Sequence, residues 1–270
     1  MAFPAAFVFS QSSLKDYRDC PRRFQLRYLQ RLAWPAPQSA DALELERRIR
    51  LGDAFHALVR RHQAGVPEAA LTPLADGDRD LARRWQAYLG SPYARIPASV
   101  RRAELALAAP LAGYRLEAQY DLVAGTPGGD WLIVDWKTGA DMTPRARLED
   151  HPQTVVYRYL LAQAGAALNG GAPIAPERIT MTYWFAAGHR PPESFSYDAA
   201  RHAVDGATLA AWALEIASRT EAEWPATADD RRCGFCAYRS YCQPTLALPR
   251  LAELEAAGEL AEELPASLDL

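Results

Sequence analysis

The chain has 270 residues, 49% of them apolar and 10% aromatic, enough for one large or two small domains around a sizeable core. Its net charge of −3 gives no overall attraction to nucleic acid, so any such contact requires a local basic surface. The sequence has no apolar run of roughly 18 residues or more, and no basic segment before its apolar N-terminus. We therefore expect no membrane span and no signal peptide, and we expect a cytoplasmic protein.

The first part of the chain has the apolar periodicity of helices. Ser12 or Ser13 is the predicted N-cap of a helix that runs to about Leu32, and Pro21 marks a point where this helix can restart. A second helix is predicted over about 41–64 and a third over 78–90. Residues 10–95 are therefore expected to form an N-terminal helical region.

The period changes near residue 100. Alternation over 101–111 and over 113–124 predicts two antiparallel strands, and the turn TPGGD leads into the apolar run LIVDW, which suits an interior strand. An amphipathic helix over 151–165, a fourth strand over 177–186 and a helix over 199–220 follow. We predict an α/β fold, with a mixed central sheet flanked by helices and a strand–strand–strand–helix–strand core within residues 96–222.

Two acids and a lysine stand at the ends of the predicted central strands. Asp135 and Lys137 are two residues apart, so their side chains share one face, and pairing through the TPGGD turn would bring Asp121 toward Asp135. Carboxylates are suitable ligands for Mg2+ or Mn2+, and Lys137 could orient water or stabilise negative charge during phosphodiester hydrolysis. The alternative is an incidental D-x-K, although an acid that follows the run LIV is costly to bury unless it is paired or metal-bound.

Lysine is scarce in this chain. Only Lys15 and Lys137 occur, and arginine supplies the remaining positive charge. This scarcity makes the position of Lys137 informative.

All four cysteines stand in two places. Cys233, Cys236 and Cys242 form a C-x2-C-x5-C run, and Cys20 precedes it by 212 intervening residues without another cysteine. Four thiolates suit a 4Fe–4S cluster or a structural zinc, and the residues alone do not decide between them. The alternatives are four ordinary cysteines, or disulfides, which a cytoplasmic chain disfavours. Ligation would close a long loop and tie the N-terminal helices to a C-terminal cysteine knob.

In this order, the motifs resemble the RecB-like group of PD-(D/E)XK nucleases and, with the cysteines, its iron–sulfur members. The group's pattern is a G-x-x-x-H helix, a strand acid, (D/E)-x-K and a helical Q-x-x-x-Y, followed in the iron–sulfur members by the cysteine trio. The corresponding positions are Gly52 and His56, Asp121, Asp135 and Lys137, Gln153 and Tyr157, with Cys20, Cys233, Cys236 and Cys242. The similarity covers about residues 10–243 and implies a restriction-endonuclease-like core.

The resemblance implies a role for each position. His56, Asp121, Asp135 and the backbone carbonyl of Trp136 would hold Mg2+ or Mn2+, and Lys137 would be the catalytic lysine. Gln153 and Tyr157 would steady the site or the nucleic-acid backbone, and the four cysteines would hold a 4Fe–4S cluster, with zinc as the alternative. Taken alone, His56 could be a histidine bonded in the core, and Gln153 and Tyr157 could serve packing only.

Two further positions relate to this pattern. Glu104 matches an acid often found on the preceding strand and could support the site, or it could pair with Arg101 or Arg102. Gln119 stands where the group usually has glycine, which could alter the approach of the substrate.

The N-terminal region is also rich in arginine and aromatic residues. The aromatics Tyr17, Phe24, Tyr28 and Trp34 could stack on bases, although helical spacing favours the core. The arginines could line a DNA groove, although Glu44, Glu46 and Asp53 partly offset them. They are Arg18, Arg22, Arg23, Arg27, Arg31, Arg47, Arg48, Arg50, Arg60 and Arg61.

Together these features predict one nuclease domain over residues 1–270, with a cysteine segment at 223–245 and an acidic tail helix at 246–270. We expect a metal-dependent deoxyribonuclease, more readily an exonuclease than an endonuclease, that acts on single strands or DNA ends. AddB-type repair nucleases and CRISPR adaptation nucleases share this layout. The sequence contains no G-x-x-x-x-G-K-[ST] loop, so a helicase motor would have to come from a partner.

Two other functions stay open at this point. One is a catalytically silent DNA-binding or scaffold subunit that retains the metal cluster. The other is a zinc-stabilised module in which D-x-K has no catalytic role.

Overall fold

The computed structural model describes residues 3–32, 40–139, 143–188, 190–234 and 236–242. The predicted tail helix over 246–270 and the aromatic Trp34 lie outside the described residues. Within the described parts of the chain, no helix combines the length and apolar character needed to cross a membrane.

The chain begins with strand β1 (Val8–Ser10) and helix α1 (Gln11–Asp19). The N-cap of α1 is Ser10, so the prediction of Ser12 or Ser13 was wrong. Ser13 is the partner in a reciprocal capping arrangement, because its N–H donates to Ser10 Oγ at 3.2 Å and the Ser10 N–H donates to Ser13 Oγ at 2.9 Å. Cys20 is extended and ends α1, and a new helix starts at Pro21, as predicted.

The restarted segment comprises α2 (Pro21–Phe24) and a π-helical turn (Gln25–Leu29). Three helices follow: α3 (Ala40–Gln63), α4 (Glu68–Ala75) and α5 (Arg79–Leu89). Helices α3 and α5 match the predicted spans, whereas α4, which contains Pro73, was not predicted. The apolar faces of α3, α4 and α5 form one buried cluster with residues of the sheet, including Phe55, Trp85, Tyr88, Trp136 and Trp184.

The six-stranded sheet contains the four predicted strands: β2 (Val100–Leu111), β3 (Tyr114–Gly125), β4 (Trp131–Lys137) and β5 (Ile179–Phe185). Short strands β1 and β6 (Glu193–Ser196) extend it. Strands β2, β3 and β4 are antiparallel neighbours, and β4 pairs with β5 in parallel. Strand β1 runs parallel to β3, and β6 runs antiparallel to β5. The sheet is therefore mixed, as predicted.

Helices α6 (Arg145–Glu149), α7 (Pro152–Ala164) and α8 (Ala199–Ser218) follow the central strands. Helices α7 and α8 share a second buried cluster with the sheet and with α1, including Phe9, Phe24, Tyr120, Leu160 and Ile216. Arg158 of α7 is fully buried, and its Nη2 lies 3.7 Å from Asp205 Oδ2 of α8. The chain then reaches the cysteine segment, with short helices α9 (Asp230–Gly234) and α10 (Arg239–Cys242). Two helical clusters flanking one mixed sheet confirm the predicted fold class.

Candidate active site

Asp121 and Asp135 face each other where β3 and β4 stop pairing. The strands pair Leu122 with Val134, so the next position in the same register sets Asp121 opposite Asp135. The N–H of Trp136 donates to Asp121 Oδ2 at 2.8 Å and ties the two strand ends together. The hairpin turn TPGGD thus brings two carboxylates to one point.

Lys137 shares the face of Asp135, as period-two geometry predicts. Its Nζ lies 3.1 Å from Asp135 Oδ2, and the two residues are only 5% and 4% exposed. Gln153 of α7 bridges them, because Lys137 Nζ donates to Gln153 Oε1 at 2.8 Å and Gln153 Nε2 donates to Asp135 Oδ1 at 2.8 Å. The buried acid and the buried lysine are therefore paired and oriented by one amide.

Tyr157 stands one turn after Gln153 on α7. Its hydroxyl donates to the backbone carbonyl of Gln119 on β3 at 2.6 Å and accepts from Gln153 Nε2 at 3.3 Å. Burial raises the pKa of the Tyr157 phenol well above its usual value, so it remains a neutral donor. Hydrogen bonding, and not packing alone, connects these two α7 residues to the sheet.

His56 approaches the carboxylates from α3. Its Nδ1 lies 3.3 Å from Asp121 Oδ1. Burial lowers the pKa of the imidazole, but the charge and hydrogen bond of Asp121, together with Asp135 and Glu104, outweigh burial and raise the pKa to about 9. Burial likewise raises the pKa of Asp121, and the His56 charge and its hydrogen bond reverse that effect, so the pKa of this carboxyl is lowered.

Gly52 allows this approach. A Cβ at this position would lie 3.0 Å from Thr138 Oγ1, in the segment that directly follows β4. The absence of a side chain lets α3 pack close to the end of β4, and His56 stands one turn further along the same helix. The G-x-x-x-H spacing therefore has a packing reason in this fold.

Glu104 occupies a strained position beside the site. The register pairs Ala103 with Leu122 and Leu105 with Tyr120, which sets Glu104 opposite Asp121. Its φ is 52°, in the left-handed region that a non-glycine residue rarely adopts. Gln119 Nε2 donates a hydrogen bond to the Glu104 carboxylate. Gln119, which stands where the group usually has glycine, thus holds the Glu104 carboxylate near His56.

These side chains line one cleft with a volume of about 190 Å3. All seven predicted positions of the metal and catalytic set contribute to its wall: His56, Asp121, Asp135, Trp136, Lys137, Gln153 and Tyr157. Further lining residues were not predicted for the site: Gln11, Ser12, Lys15, Asp16, Thr138 and His151. Arg27 also lines the cleft and was predicted only as one of ten arginines. Lysine scarcity was a signal for Lys15, because both lysines of the chain line this cleft.

The donor set of the cleft suits a hard divalent cation. Among the described residues, the four cysteines included, no group of three or more His, Cys, Asp or Glu side chains is already arranged so that it could hold a metal ion. His56 instead supplies positive charge to the two carboxylates, which together with Glu104 raise its pKa. Two carboxylates, an imidazole that can lose its proton and an open cleft therefore fit Mg2+ or Mn2+.

A second cavity collects the four cysteines. Cys20 comes from the junction of α1 and α2, and Cys233, Cys236 and Cys242 come from the α9–α10 segment. The backbone N–H of Thr227 donates to Cys20 Sγ at 3.4 Å. Burial raises the pKa of the Cys233 thiol, and the nearby Cys20, Asp230 and Cys242 add to the rise. A bound cation would stabilise the thiolate of Cys233 against these effects.

Two of the aromatics that were considered for base stacking are core residues. Tyr17 is 5% exposed and Phe24 is fully buried, with its ring stacked on Trp224 at 5.5 Å between centroids. The hypothesis that Tyr17 or Phe24 stacks on bases is therefore wrong, and both lie in the core, as their helical spacing indicated. Several arginines of this region pair with acids, as Arg47 does with Asp78 at 3.2 Å.

Comparison with known proteins agrees with this geometry. The family model described as "PD-(D/E)XK nuclease superfamily" matches residues 8–243. No curated protein matches the sequence significantly. The solved structure of a proposed exonuclease from Eubacterium rectale is 9% identical, with a TM-score of 0.51 over 90% of this chain and 90% of that chain, which shows a shared fold. The protein SSO0001 is 14% identical, with a TM-score of 0.43 over 89% of this chain and 87% of that chain.

The family match covers most of the chain and includes every element that carries the cleft. Nucleases of this superfamily use divalent metal ions such as Mg2+ or Mn2+, which agrees with the carboxylates that the strands bring together. The chain belongs to the PD-(D/E)XK nuclease superfamily.

Proposed function

We propose that the chain is a divalent-metal-dependent deoxyribonuclease that hydrolyses phosphodiester bonds in the cleft at the ends of β3 and β4. One observation carries the proposal. Asp135 and Lys137 are buried side by side, bridged by Gln153, with Asp121 opposite them. Burial of so many charged and polar groups is costly. Such burial is typical of a catalytic site, and this reaction needs a cation site beside a fixed ammonium.

Each side chain has a proposed task. Asp121, Asp135, His56 and the Trp136 carbonyl would hold Mg2+ or Mn2+, which would supply Lewis-acid stabilisation at the attacked phosphate. The Lys137 ammonium stabilises developing negative charge or orients the attacking water. Gln153 fixes the rotamer of Lys137 through its 2.8 Å hydrogen bond, and Tyr157 anchors α7 to β3 through Gln119.

The substrate is proposed to be single-stranded DNA or a DNA end, cleaved by exonuclease action. The name of the Eubacterium rectale structure supports the choice of exonuclease action. The pathway is DNA repair and recombination or CRISPR adaptation, in which a helicase or adaptation partner would deliver the strand. We further propose one domain over residues 1–270, acting in the cytoplasm, where four free thiols are typical.

The cysteine cavity is proposed to hold a 4Fe–4S cluster, with zinc as the alternative. The support is that four thiols, three from the C-x2-C-x5-C segment and one from the distant Cys20, line one cavity. The centre would join α1 and α2 to the C-terminal segment across 212 residues of chain.

Cleavage of 5′- and 3′-labelled DNA, single- and double-stranded, by anaerobically purified protein tests the function. Metal-dependent cleavage that stops with EDTA and resumes with Mn2+ is the expected result. A folded, cysteine-metallated protein that binds DNA without cutting any of these substrates would instead identify the silent DNA-binding subunit. Zinc without iron, and no dependence on divalent cations, would identify the zinc-stabilised module.

Metal affinity is expected to rise steeply with pH. His56 has a pKa of about 9 in the metal-free protein, and it must lose its proton to bind a cation. The half-saturating Mn2+ concentration should therefore fall about tenfold between pH 7 and pH 8. Without metal, the stability of the folded protein changes with pH in the opposite direction. The ion pair between protonated His56 and Asp121 contributes fully below pH 6.5 and is lost as the pH rises through 9.

Isothermal titration with Mn2+ at pH 7 and pH 8, with His56→Ala as the matched variant, measures this dependence. The variant should bind Mn2+ more weakly at both values and lose most of the pH dependence. An equally steep pH dependence in His56→Ala would remove His56 from the ligand set.

A further inference from the structure

One wall of the cleft comes from the N-terminal helices and faces the carboxylates. Helix α1 contributes Gln11, Ser12, Lys15 and Asp16, and the π-helical turn contributes Arg27. None of these residues belongs to the proposed metal and catalytic set. Lys15 and Arg27 are the cationic groups of this wall.

The charges of this wall do not cancel. Arg27 Nη1 lies 2.9 Å from Asp16 Oδ2, and Arg23 Nε lies 3.0 Å from Asp16 Oδ1. Asp19 takes Lys15 Nζ and Arg23 Nη2, both at 2.8 Å. Arg232 also pairs with Asp19. Four cations therefore share these two carboxylates, so positive charge exceeds negative charge in this cluster of ion pairs.

Two of these cations, Lys15 and Arg27, lie on the cleft side. The Arg23 and Asp16 side chains are both 6% exposed, whereas Arg27 is 25% and Lys15 is 20% exposed. The buried pair of Arg23 and Asp16 thus lies behind Arg27 and Lys15, the two cations that reach the cleft. Arg23 also lines the cysteine cavity, so the support behind Arg27 extends to the proposed metal centre.

We propose that Arg27 and Lys15 bind the backbone phosphates of the DNA strand beside the scissile bond, as positioning residues. This inference rests on the proposed nuclease function. A strand in this cleft passes between the catalytic groups on the sheet and the cations on α1 and the π-helical turn, so phosphates that flank the scissile bond lie within reach of Lys15 and Arg27. The Asp16 hydrogen bond fixes Arg27, whose planar guanidinium can contact two phosphate oxygens at once.

Salt dependence separates phosphate contact from a structural role. Binding of a labelled dT oligonucleotide is measured by anisotropy over a range of salt concentrations, with Lys137→Met in every sample to prevent cleavage. Arg27→Gln should reduce the slope of log Kobs against log salt by about 0.7, and its affinity in 0.1 M salt should fall about fivefold. Lys15→Met should do the same, and Arg27→Lys should retain most of the slope.

Arg83→Gln is the matched control, because Arg83 is 61% exposed, pairs with Asp80 on α5 and does not line the cleft. Its slope should equal that of the parent. Lys15→Met also guards against misfolding of Arg27→Gln, since Lys15 contacts Asp19 and leaves Asp16 paired.

The outcomes are distinct. Unchanged slopes in folded Arg27→Gln and Lys15→Met, while the wild type cleaves DNA, would overturn this inference and leave the nuclease function intact. A wild type that neither binds nor cleaves DNA would overturn the function itself.

Discussion

Lys137→Met is expected to lower the rate of DNA cleavage at saturating Mn2+ by about 100- to 1,000-fold, the usual cost of removing one preorganised charge or donor from a transition state. Lys137 Nζ is fixed by Asp135 and Gln153, so the native ammonium needs no reorganisation during the reaction. Methionine keeps the length and apolar body of the side chain but removes the charge. Single-turnover cleavage of labelled single-stranded DNA measures the loss directly.

Two variants make the result specific. Lys137→Arg retains a positive charge but cannot occupy the same position between Asp135 and Gln153, so it should also be slow. Lys15→Met makes the same chemical change at the other lysine of the cleft and should weaken DNA binding with little effect on the rate at saturation. A Lys137→Met protein that is folded and cleaves DNA at the wild-type rate would contradict the proposed role of Lys137.

The catalytic side of the cleft was predictable because it is built mainly from two strands that are neighbours in the sequence. Alternation indicated strand β3, an apolar run indicated β4, and pairing through the TPGGD turn was expected to bring Asp121 toward Asp135, which the register confirms. The acid after an apolar strand indicated burial, and both Asp135 and Lys137 are buried. The short strands β1 and β6 could not be predicted in this way, because three or four residues carry too little periodicity.

Lysine scarcity marked Lys15, but the position of the opposite wall was not predictable, because it depends on contacts between distant segments. Strand β1 pairs with β3 more than 100 residues away, with Val8 opposite Arg115, and this pairing sets α1 against the sheet. Nothing in the local pattern around Lys15 or Arg27 indicates that pairing. The hydrogen bond between Gln153 and Lys137 is equally non-local, since helix periodicity shows a shared face but not its partner.

Cys20→Ser is expected to lose the bound metal and to lower the melting temperature by roughly 10–20 °C. A link between Cys20 and the C-terminal cysteines closes a loop of more than 200 residues, and loop-closure entropy assigns about 5 kcal/mol to such a cross-link. In a chain of this size each kcal/mol shifts the melting temperature by about 2–4 °C. Metal analysis for iron and zinc, with thermal unfolding of the same anaerobic sample, measures both effects.

Cys242→Ser separates ligation from packing. Cys20 is buried and Cys242 is exposed, so serine at 242 should be nearly neutral if the cysteines only pack. If all four bind one centre, the exposed cysteine should cost as much metal and stability as the buried one. Full metal content and unchanged melting in either variant would contradict the four-cysteine centre. Equal losses in both variants would show that a bound metal, and not apolar burial, links α1 and Arg23 to the C-terminal cysteine segment.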